Sequence, residues 1–79
     1  MLKAFDHIAV PMQQVELMTT FYEALGCKIL DQGRIKAVVF GNNKINFHLP
    51  DLWNDKEFNL RGLTALPGSG DVCFVWDGT

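Results

Sequence analysis

Two hydrophobic periods follow one another along the chain, and their order outlines a fold. From Phe5 to Met12, an extended backbone puts Phe5, His7 and Ala9 on one face and Asp6, Ile8 and Val10 on the other. Pro11 closes this strand, since proline has no N–H to continue a ladder. Val15, Met18, Tyr22 and Leu25 then recur at helical spacing with Phe21 beside them, while Glu16, Thr19, Thr20 and Glu23 fall largely between. The spacing predicts a helix over Gln14–Leu25, stopped by Gly26, a residue suited to a left-handed cap. Its start is weakly marked, because Gln13 and Gln14 are poor caps. The period then returns to two: a short strand over Cys27–Leu30, a turn at Asp31-Gln32-Gly33, and a β-branched strand over Ile35–Phe40. Gly41-Asn42-Asn43 is a hairpin signal, and Lys44–Leu49 is the next strand. The order is β-α-β-β-β, an α+β module in which the helix carries a crossover and hairpins join the later strands.

Leu49–Gly70 reads as a linker, punctuated by Pro50, Pro67, Gly62, Gly68 and Gly70. It also carries Leu52, Trp53, Phe58, Leu60, Leu63 and Leu66, so it packs on something. A structureless connection of this length is unusual inside one compact domain and expected between two modules. Asp71–Trp76 then reads as one extra C-terminal strand. The expected organisation is a first module over 1–49, a linker over 50–70 and the start of a second module over 71–79.

Composition narrows the class. With 48% hydrophobic residues in 79, the chain is globular in character, yet a domain this size buries only about 60% of its unfolded surface. It is therefore marginal unless stapled or doubled. Cys27 and Cys73 are too few for a disulfide framework and read as small apolar side chains in a reducing compartment. The net charge is -2 with both signs interspersed, which offers no basic stripe for nucleic acid and no cationic face for a membrane surface. No apolar run approaches the roughly 20 residues that span a bilayer. MLKAFDH lacks the apolar core of a signal peptide, and a cytoplasmic location is the expectation.

An initial DHIAV strand, a helix ending FYEALGCKIL, the strands of AVVFGNNKINFHLP and the string PGSGDVCFVWD occur here in this order. Together they resemble the vicinal-oxygen-chelate superfamily, which holds glyoxalases, bleomycin-resistance proteins and ring-cleaving dioxygenases. The FYxxLG helix end and the PGS-x-D-x-C-F string are weak alone and fairly specific in combination, and the likeness runs over nearly the whole chain. The resemblance implies a domain of two β-α-β-β-β modules whose sheets form a cup around a divalent metal (zinc, iron, nickel or manganese). It implies lyase, isomerase or dioxygenase chemistry, or plain drug binding, on a small oxygenated molecule. The chain matches one module and the first strand of the next, a half-domain that a homodimer would complete.

Strand alternation separates the candidate chemistry from the core. His7, then Asn46 and His48, then Asp71 and Cys73 fall opposite the apolar residues of their strands. Such a face suits a functional cup and suits equally a sheet with one side in water. His7 matches the first metal-ligand position of the resembled family; otherwise it is a half-buried histidine bonded to a neighbour. Asn46 stands where the family places a glutamate or glutamine, and His48 lies one pleat further on the same face. Asp71 stands where the second module's opening histidine often sits, and otherwise is a turn residue after Gly68-Ser69-Gly70. His7, His48 and Asp71 are thus the expected metal ligands; no catalytic base is named by the sequence.

Three functions follow: a metal-dependent enzyme, a non-catalytic dimer that holds a small apolar or planar ligand with Trp53, Phe58 and Trp76 available, or an inactive remnant of such an enzyme.

Overall fold

In the computed structural model, which describes residues 1–58 and 65–77, the chain runs β1 (Ile8–Pro11), α1 (Val15–Ala24), β2 (Lys28–Asp31), β3 (Ile35–Phe40), β4 (Asn43–His48) and α2 (Pro50–Trp53). The strands form one sheet in the order β1-β4-β3-β2. β1 lies parallel to β4, with Ile8 opposite Ile45 and Pro11 opposite His48. The two later pairs are antiparallel hairpins. This is the α+β module that the pattern predicts, with α1 as the crossover that a parallel neighbour requires.

One face of the sheet is the core. Met12, Tyr22, Val38, Ile45 and Phe47 are buried together, with Val10, Val15, Met18, Cys27 and Ile29 packed around them. α1 lies on this face by Val15, Met18 and Tyr22, three of the four positions that set its helical spacing; Tyr22 rests against Phe47 with ring centroids 5.4 Å apart. Its end is fixed by two backbone bonds: Cys27 N–H donates to the Tyr22 carbonyl at 3.1 Å and Gly26 N–H to the Glu23 carbonyl at 3.0 Å. This 6→1 and 5→2 pair is the Schellman motif, and it requires the left-handed φ of +89° that Gly26 supplies. The start of α1 has no side-chain cap, as Gln14 leads one to expect.

Two expectations are corrected. The linker opens with a helical turn, α2, started by Pro50 at its first position, where a missing N–H costs nothing. Leu52 is buried beneath it, and the Trp53 Nε1–H donates to the Met12 carbonyl at 3.0 Å. Arg34 ties the same turn to β3's start, donating to the Asp51 carbonyl at 3.2 Å and to Asp55 at 3.0 Å. The expected strand over Asp71–Trp76 belongs to no ladder, and residues 71–77 are exposed along their length. Alternating apolar side chains prepare a segment for a sheet, but a strand exists only with a hydrogen-bonded neighbour. The segment is instead laid across the core face. Phe74 meets Phe40 at 5.5 Å and Tyr22 at 6.4 Å, edge to face. Gly70 lies so close to Val10 that an added Cβ would stand 3.1 Å from its Cγ1. Residues 59–64 of the expected linker and 78–79 of the expected second-module start lie outside the described residues. Among the described residues, no helix is long and apolar enough to cross a membrane, and Cys27 and Cys73 are free thiols.

Candidate functional site

The sheet face away from α1 carries the polar groups. Its central row is Ala9, Asn46, Ala37 and Leu30, each opposite the next across the strands. Two alanines beside Asn46 leave its amide without a larger neighbour on the adjoining strands. Asn46 is nevertheless 9% exposed, and its Oδ1 has no hydrogen-bond partner. One row beyond lies His48 at the end of β4, between Pro11 and Ile35. The Phe58 ring meets His48 edge-on, with centroids 5.3 Å apart.

His7 precedes β1, and its position shows where alternation ceases to apply. Phe5, Asp6 and His7 lie outside the ladder, so Asp6 and His7 are not held on opposite faces as the pattern has them. Instead the Asp6 carboxylate accepts a hydrogen bond from His7 Nδ1 at 2.8 Å. That bond, with the nearby Lys44 charge, holds the Asp6 carboxyl below its ordinary value. Asp6 is the partner of His7 that sequence reasoning missed. Its adjacency to His7 was visible, but assigning the two to opposite faces hid it.

Burial lowers the His48 pKa from its ordinary 6.5, and the His7 charge lowers it further. Burial favours neutral imidazole, the form that binds metals. His48 closes β4, while His7 lines a cleft with Lys44 at the strand's opposite end. Asp71 is exposed on the C-terminal segment, and among the described residues no group of three or more His, Cys, Asp or Glu side chains gathers as a metal site.

Of Trp53, Phe58 and Trp76, it is Phe58 that meets His48. Trp53 is bound to the Met12 carbonyl, and Trp76 lines an apolar pocket of about 260 Å³ on the core side with Tyr22, Cys27 and Phe40. A second cleft, of about 360 Å³, opens beside Asp6, His7 and Lys44 and is walled by Phe40 and Phe74. Its size suits a small molecule.

A β-α-β-β-β module with a histidine before its first strand and another on its fourth defines a half-domain of the glyoxalase kind. The comparisons agree. The chain is 37% identical over 76 residues to the glyoxalase domain-containing protein RDO1 of Mycosarcoma maydis, covering 94% of this chain and 40% of that protein. It is 34% identical over 73 residues to the virulence protein STM3117 of Salmonella typhimurium, covering 89% and 47%. The chain thus spans less than half the length of these curated relatives. Among solved structures, an integron cassette protein from the mobile metagenome of V. Cholerae superposes with a TM-score of 0.77 at 30% identity, over all of this chain and 60% of that one. A second, from V. Pseudocholerae, gives 0.76 at 30% identity, over 98% and 58%. No family model matches the chain. By sequence and fold together, the chain is similar to one module of the glyoxalase/bleomycin-resistance-like fold.

Proposed function

We propose that the histidine-bearing face is half of a metal-dependent small-molecule site, completed by a second copy of the chain. The observation that carries this is a half-buried His48 on the polar face of β4, favoured as neutral, together with a His7 at the entry to β1 whose Nδ1 is engaged by Asp6. The donors fit a divalent metal in kind. Both are imidazoles, and His7 has its Nδ1 engaged by a carboxylate, as metal-bound histidines usually do. They fall short in number, because catalytic sites usually have three protein ligands. A twofold pair doubles the set, with Asp71 as the carboxylate that each chain brings. When bound, such a metal holds neighbouring oxygens of a substrate and stabilises a developing anion, the chemistry of a lyase, isomerase or ring-cleaving dioxygenase.

Calorimetric titration with zinc or nickel, beside sedimentation analysis, tests the reading. It expects at least about one ion per dimer, and loss of binding in both His7→Ala and His48→Ala. Fewer ions, or binding indifferent to both substitutions, rejects it.

One observation favours a second reading, a dimer that binds small molecules without catalysis: Phe58 stacks on the edge of His48 and restricts access to that ring. In that case His48→Ala leaves metal content unchanged while Phe58→Ala weakens the binding of planar aromatic ligands.

A further inference from the structure

We propose that Asp6 is a positioning residue for His7: its carboxylate fixes the tautomer of the ring and leaves Nε2 as the nitrogen presenting a lone pair. The role of His7 toward a metal rests on the reading above; the tautomer itself does not. A carboxylate oxygen only accepts hydrogen bonds. At 2.8 Å from that oxygen, Nδ1 must therefore carry the proton. A neutral ring with its proton on Nδ1 has its lone pair on Nε2 and nowhere else.

The need for such a residue follows from where His7 lies. It precedes the first residue of β1, so no ladder bond orients its backbone, and its side chain is 40% exposed. A ring on that stretch rotates freely unless something holds it. Asp6 holds it from the neighbouring position and is drawn in turn by the Lys44 charge on β4. Lys44, on the strand that bears His48, thus lies near the Asp6–His7 pair. All three line the cleft of about 360 Å³.

Nitrogen-15 NMR of the histidine ring reads the tautomer directly, and zinc titration reads its consequence. In the native chain His7 is expected in the Nδ1–H form. In Asp6→Ala it moves toward the Nε2–H form that an unrestrained imidazole favours, and zinc affinity falls about 10- to 100-fold. Asp6→Asn, which keeps an accepting oxygen without the charge, restores part of both. Asp6 is exposed, so these variants keep the fold, and dispersed backbone resonances check it. The same tautomer in native and Asp6→Ala chains overturns the proposal, as does a tautomer shift with unchanged zinc affinity. A tautomer shift in a chain that binds no zinc at all upholds Asp6 and rejects the metal reading instead.

Discussion

His48 has an ordinary place in the sequence and an unusual one in the fold. Alternation sets it opposite Ile45 and Phe47, and the structure keeps it there. What the sequence does not show is its burial or the approach of Phe58, ten residues away, because both depend on the turn after β4. The burial has a consequence for stability. The unfolded chain takes up a proton at His48 near 6.5, while the folded chain resists until lower pH. The contribution of His48 is therefore fully present above 6.5 and is lost as pH falls through the folded value. Urea midpoints measured on either side of 6.5 should decline toward acid, and His48→Gln should flatten that decline. An unchanged slope would mean the ring is solvated in solution. The residues that sequence reasoning misplaced are those whose position no local period sets. Asp6 and His7 precede the ladder, and Asp71 follows a connection of more than twenty residues from β4, so neither alternation nor spacing fixes where their side chains go.

At the scale of elements, the chain was legible wherever a period ran long enough to choose a structure. β3 spans Ile35–Phe40 as its β-branched run predicts, and α1 loses only its two end residues from the predicted helix. α2 was hidden because a four-residue turn is too short to show a period, and its proline read as linker punctuation. Two substitutions probe the ends of α1. Gly26 has no atom within 4 Å of an added Cβ, so Gly26→Ala meets only backbone strain at its left-handed φ. It should cost about 1–2 kcal/mol. Conversely, Gln14 makes no side-chain cap. Gln14→Ser should add about 0.5–1 kcal/mol by satisfying an amide of the first turn. Denaturant titration measures both, and the expected signs are opposite: a stabilising alanine or a destabilising serine would show that the ends of α1 are held by something other than these caps.

The whole molecule poses the question that neither residues nor elements answer, which is what covers it. Leu2, Phe5, Phe21, Val75 and Trp76 are all more than half exposed, and Phe74 anchors a C-terminal segment that joins no sheet. In the relatives, more chain is present than this one spans. The strings that carried the family likeness lie within the shared half, so the likeness was readable while the partner was not. A second copy covering these side chains would make folding and association one equilibrium. Apparent stability should then rise by roughly 1.4 kcal/mol for each tenfold increase in protein concentration. Thermal melts across a concentration series, with sedimentation velocity at both ends, measure this. Trp76→Ser, at a side chain 63% exposed, should weaken the dimer. A monomer whose melting point ignores concentration would remove the second set of donors. His7 and His48 would then stand as two imidazoles of one chain, a site for a small ligand's polar groups and not for a catalytic metal.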